Sequence, residues 1–127
     1  MSQPILCLDF DGVCHSYVSG WQGATRIPDP PVPGMWSFLE AVSHHFEVHI
    51  YSSRSHQAGG IAAMKCWFLE HADSVFRQDI VKKHLYFPSE KPPAFLTLDD
   101  RGLLFTGTWP NIEELRKFQP WYKKDPA

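Results

Sequence analysis

Two pairs of carboxylates stand at the ends of apolar runs. The stretch ILCLDFDG sets Asp9 and Asp11 two residues apart, and AFLTLDD ends on Asp99 and Asp100. Like charges at such spacing repel and resist desolvation, so a buried pair needs compensation. A carboxylate at a strand end can act as a nucleophile, ligate a metal or cap the following turn, and for DxDG alone the turn reading stands level with the others, because Asp and Gly form turns. A second acidic pair changes that balance. Three or four carboxylates on one rim are tolerable when a divalent cation sits among them. An all-oxygen set with no His or Cys at ligand spacing suits Mg²⁺.

The elements that must bring these residues together are legible in outline. Residues 5–8 form a continuous apolar run, the pattern of a strand covered on both faces. Residues 12–34 are rich in Gly, Pro and Ser and read as irregular. Met35, Phe38, Leu39, Val42 and Phe46 recur at helical spacing after Pro33 and Gly34. FEVHIYSS reads as a second strand, and Ile61, Met64, Trp67 and Phe68 mark a second helix. Residues 72–84 fit no single pattern. HLYF is a short third strand, AFLTLDD a fourth, LLF a minor one, and NIEELRKF a last helix capped by Asn111. This alternation implies a single α/β domain over residues 1–127, Rossmann-like, with three α/β/α layers around a central parallel sheet. Such sheets place their sites beyond the carboxyl ends of the strands. That rule brings Asp9, Asp11, Ser52, Asp99 and Asp100 to one rim.

The motifs resemble those of the haloacid dehalogenase (HAD) superfamily. ILCLDFDGV is similar to its first motif, VHIYSS to its second, a strand ending in Ser or Thr, and EKPPAFLTLDD to its third and fourth, a lysine and then paired acids. They occur in the family's order. The resemblance implies a Mg²⁺-dependent phosphatase in which Asp9 attacks phosphorus and becomes an aspartyl-phosphate. Asp11 would protonate the leaving oxygen and then take a proton from the hydrolytic water. Within the family an acid at this second position accompanies phosphoryl transfer rather than dehalogenation. Mg²⁺ would be held by the Asp9 side chain, the Asp11 backbone carbonyl, and Asp100 directly with Asp99 behind it, or the reverse. Ser52 would donate to a phosphoryl oxygen, with Ser53 and Ser55 as rivals and a capping serine as the plain alternative. Lys91 would neutralise charge, with Lys82 and Lys83 as rivals. Gly12, Trp21, Ser53 and Arg54 are candidates for substrate contact, and Arg101 reads as a structural partner of the acid pair.

The spacings leave no room for a large cap domain, so the chain looks capless. Relatives of that kind act on large substrates or close the site by oligomerising. The expected partner is a phosphorylated substrate, either a small molecule or a nucleic-acid end. A phosphotransferase or a noncatalytic binding module on the same fold remains an alternative reading. A net charge of −2 leaves no broad basic footprint for nucleic acid. No apolar run approaches the ~20 residues of a membrane span. The opening MSQPILCLDF lacks the basic and long apolar regions of a signal peptide. Three cysteines without CxxC spacing read as reduced thiols, which together with the absent leader points to the cytoplasm.

Overall fold

The computed structural model describes residues 3–123; the first two residues of the chain's opening stretch and residues 124–127 lie outside. Four strands, β1 (Ile5–Leu8), β2 (Glu47–Ile50), β3 (Leu85–Tyr86) and β4 (Leu96–Leu98), form one sheet in the order β3-β2-β1-β4. Every pairing is parallel. The apolar run at 5–8 takes the centre, where both neighbours satisfy its backbone: Leu6 lies opposite Val48 on one side and Leu96 on the other. Because the strands are parallel, their carboxyl ends share one edge. The Asp9 amide continues the ladder by donating to the Leu98 carbonyl (3.0 Å), and the Tyr51 amide donates to the Leu8 carbonyl (3.1 Å). The residues that follow β1, β2 and β4 are therefore locked at the same level.

Helices α1 (Met35–Val42), α2 (Gly60–His71) and α3 (Val75–Lys83) supply the other half of the core. Leu39 from α1, Met64, Trp67 and Phe68 from α2, and Ile80 and Val81 from α3 bury with Leu6, Leu8, Val48 and Ile50 of the sheet. Two of these helices carry the periodicity seen in the sequence. α3 occupies the stretch that fitted no pattern; its start is fixed by Ser74, whose hydroxyl accepts from the Arg77 amide (3.1 Å). The short helix α4 (Ile112–Arg116) begins at Asn111, whose side chain accepts from the Glu114 amide (2.8 Å).

One expectation needs correction. LLF forms no strand: Leu103, Leu104 and Phe105 are exposed and lie in no ladder among the described residues. Of the helices, α1 contacts α3 and α3 contacts α2, while α4 buries no residue. Residues 87–95, between β3 and β4, carry Pro88, Pro92 and Pro93 and form no helix. No helix among the described residues is long and apolar enough to cross a membrane.

Candidate active site

Asp9, Asp99 and Asp100 converge at the carboxyl edge of the sheet. One carboxylate oxygen from each lies within 4.8 Å of the other two. Asp9 follows β1 and its carboxylate accepts from the Phe10 amide (2.8 Å). The side chain of Asp100 is almost fully buried, whereas Asp99 is exposed. Burial is the main force on the Asp9 carboxyl and hydrogen bonding to Asp100 the next; with the charges of Asp99 and Asp100 they push its pKa from 3.8 to about 8. At neutral pH the metal-free cluster thus retains a proton that an isolated carboxylate would release. A hard cation fits this site by donor chemistry: three carboxylates, no nitrogen or sulfur, and a repulsion that a double positive charge would relieve.

Asp11 stands in the opposite environment. Arg54 Nε donates to both of its oxygens (2.9 and 3.3 Å), and Nη2 donates to Oδ1 (3.1 Å). His15 Nδ1 lies 2.9 Å from the same Oδ1. The Asp29 amide donates to His15 Nε2 (3.1 Å), so the ring proton sits on Nδ1 and is given to Asp11. Burial alone would raise the Asp11 pKa, but the hydrogen bonds from His15 and Arg54 and the arginine charge outweigh it and hold the carboxyl below its ordinary value.

Arg54 is the hub of this half-site. It is fully buried. Its Nη1 donates to the carbonyls of Gly23, Ala24 and Arg26 (2.8, 2.9 and 3.1 Å), and its guanidinium carbon lies 4.7 Å from the Trp21 ring centroid. The guanidinium, a candidate for substrate contact by sequence, thus has its donors engaged by Asp11 and by three carbonyls of the loop over 16–30, which it braces. The loop is closed at its base, where the Ser16 amide donates to the Pro30 carbonyl and the Val32 amide to the Cys14 carbonyl (3.0 and 2.8 Å). Asp29 fastens it further, accepting from the Ser19 amide and hydroxyl (2.8 and 2.6 Å).

The remaining candidates fall as follows. Ser52 is buried and caps a 3₁₀ turn, Ser53–His56; its hydroxyl accepts from the Arg54 amide (2.9 Å) and faces Met64 Sδ (3.7 Å). This is the capping alternative the sequence left open. Ser53 is exposed and lines both hollows that flank Asp9. Lys91 lines the smaller one, about 210 Å³, with Asp9, Ser52 and Asp99. Its rivals lie on α3, where Lys83 Nζ stands 3.7 Å from Asp79. Trp21 and Tyr17 line the larger hollow, about 310 Å³, with Asp9, Asp11, Asp100 and Arg101. Tyr17 takes a left-handed backbone (φ 62°), the only non-glycine among the described residues to do so. Gly12 (φ 82°) has no room for a side chain: a Cβ there would lie 2.4 Å from Asp100 Oδ2.

Three participants had no signal that sequence reasoning could weigh. His15 reads as one histidine among seven. Tyr122, which completes the larger hollow, and Trp121 lie beyond the last motif. Only the fold brings them to the rim. Comparison with protein-family models, curated proteins and solved structures finds no match for this chain, so the reading of its site rests on its own residues.

Proposed function

We propose that this chain is a Mg²⁺-dependent phosphomonoesterase of the haloacid dehalogenase type, with Asp9 as nucleophile. The observation that carries the reading is the convergence of Asp9, Asp99 and Asp100 at the carboxyl edge of a parallel sheet. The order of the four sequence motifs supports it. Asp9, Asp99 and Asp100, with the Asp11 backbone carbonyl, would hold Mg²⁺, which when bound neutralises phosphoryl oxygens and favours the ionised form of Asp9.

The chain's own groups divide the work. The Asp9 carboxylate attacks phosphorus, the bond to the leaving oxygen breaks, and an aspartyl-phosphate forms. Lys91 and Ser53, which line the hollow beside Asp9, would meet phosphoryl oxygens. Asp11 is held ionised by His15 and Arg54, so it begins as a base and takes the proton of the water that hydrolyses the intermediate. Esters whose leaving group departs as a stable anion need no acid in the first step and should react fastest.

The test is an aryl phosphate offered to the purified protein with and without Mg²⁺. Hydrolysis should require the metal and fall by about 10³-fold or more in Asp9→Asn. Turnover that survives the substitution removes Asp9 from the mechanism. A nucleotide or nucleic-acid end is favoured as the phosphorylated group by the aromatic rim of Tyr17, Trp21 and Tyr122, because aromatic faces stack bases. Trp21→Ala should then raise KM for a nucleoside monophosphate and leave that for a sugar phosphate unchanged; equal effects on both would remove base stacking.

A further inference from the structure

After β4 the chain leaves the core. Leu104, Trp109 and Ile112 are 91%, 83% and 67% exposed. It then returns to the acidic rim in a single 3₁₀ turn, Trp121–Lys123. The Tyr122 hydroxyl donates to Asp100 Oδ2 (2.8 Å), and the Trp121 indole donates to the Gly12 carbonyl (2.7 Å). The Tyr122 ring also meets Tyr17 edge to face at 5.9 Å. A Cβ at Gly12 would lie 2.6 Å from Tyr122 Cε1 as well as against the Asp100 carboxylate, so the glycine forms the cradle in which the two are pressed together.

We propose that Trp121 and Tyr122 form a clasp that positions Asp100 for a cation, so that seating of the C-terminal turn and cation binding are coupled. This rests on the reading of the acidic cluster as a Mg²⁺ site. A hydroxyl donated to one carboxylate oxygen fixes the rotation of Asp100 and offsets part of its charge, the role that outer partners of metal ligands play. Trp121 holds the Asp–Gly turn from which Asp9 and Asp11 are displayed. Among the described residues the turn is held by these contacts and by Arg101, whose Nη2 donates to the Tyr122 hydroxyl (3.4 Å). No residue of the segment over 101–120 is buried, so docking of the turn is a weak local equilibrium, and a ligand that favours the docked form shifts it. By reciprocity the docked clasp must favour the ligand. Tyr122 acts here as a positioning residue through Asp100.

The experiment is a calorimetric titration of the full chain with MgCl₂, comparing the natural sequence with Tyr122→Phe and Trp121→Phe. Tyr122→Phe keeps the ring and loses only the donor. It should bind Mg²⁺ about tenfold more weakly while its metal-free melting temperature stays within a few degrees. Trp121→Phe should weaken binding in the same direction. Trypsin cleavage of the natural chain after Arg116 and Lys117 reads the coupling without any substitution, and saturating Mg²⁺ should slow it several-fold. If the natural chain binds Mg²⁺ but Tyr122→Phe binds it equally well and cleavage ignores the metal, the clasp is overturned and the phosphatase reading stands. If the natural chain binds no Mg²⁺, that reading fails and takes the coupling with it.

Discussion

Asp9 and Asp11 are one residue type, two positions apart, at the end of one strand, yet the fold gives them opposite affinities for a proton. Asp9 faces Asp99 and Asp100 with no cationic partner in hydrogen-bond contact among the described residues, and burial with those neighbours raises its pKa. Asp11 faces Arg54 and His15, and the same burial is overcome. When two titratable groups are driven apart in this way, their environments assign their roles. Without metal, however, the assignment is inverted for the proposed chemistry: the nucleophile holds a proton and the acid–base residue is ionised. A cation at the Asp9 side is what would reverse the first of these. The difference teaches that the chain supplies Asp11 with the positive charge and donors that favour its ionised form, whereas it surrounds Asp9 with carboxylates that disfavour it.

Breaking the Asp11 half should have the larger consequence. Arg54→Ala removes a buried guanidinium that serves Asp11 and three loop carbonyls together. Breaking a buried ion pair from one side leaves an uncompensated charge and costs about 3–5 kcal/mol. The loop over 16–30 would lose its brace at the same time. Urea denaturation of Arg54→Ala should show its midpoint far below that of the natural chain, and a midpoint within a few tenths of a molar would mean that Asp11 and the loop are held by other contacts. Arg54→Lys should rescue little, because a single ammonium cannot reach both the carboxylate and the carbonyls in the geometry of the planar fork.

How far the sequence foretold each half follows from what kind of information fixes it. Asp9, Asp99 and Asp100 were legible because each ends an apolar run, and in a parallel sheet strand ends share an edge. α1 and α2 were legible because Leu39, Met64, Trp67 and Phe68 repeat at helical spacing and are buried for that reason. α3 was not. Its first residues, Val75 and Phe76, are apolar but 75% and 59% exposed, and only Ile80 and Val81 turn inward, so no stripe forms. Arg54 read as a candidate for substrate contact, since nothing in a serine loop signals a buried charge. Only its three-dimensional surroundings, the carbonyls at 23, 24 and 26, make a buried arginine tolerable. Tyr122 was invisible for a related reason: 109 residues separate Trp121 from its acceptor Gly12, and no local pattern encodes such a contact.

The Asp9 half can be probed through pH, with a smaller effect and a definite sign. The folded pKa of Asp9 is raised to about 8 from 3.8. Below the unfolded value both states carry the proton, and the stability associated with the neutral form is fully present. Between the two values the folded state keeps a proton that the unfolded state has released. Stability must then fall as pH rises, by at most about 1.4 kcal/mol per unit, and level off above the folded value. Asp11 adds no slope in that window: its lowered pKa makes its stabilisation fully present there, to be lost only under more acidic conditions as pH drops through the folded value. Metal-free protein should therefore lose stability from pH 5 to 8, in denaturation curves taken at fixed ionic strength. Asp9→Asn should flatten the decline, and saturating Mg²⁺ should abolish it, because the ion binds the ionised cluster and leaves the folded state no proton that the unfolded state lacks. A metal-free stability that shows no decline over this range would mean that Asp9 is already ionised in the folded state. The finest distinction lies between its two neighbours. Hydrogen bonding to Asp100 contributes more to the Asp9 shift than the charge of Asp99 does. Asp100→Asn should accordingly move the midpoint of the decline further toward acid than Asp99→Asn, since the new amide can donate to Asp9 where the carboxylate could only compete for its proton.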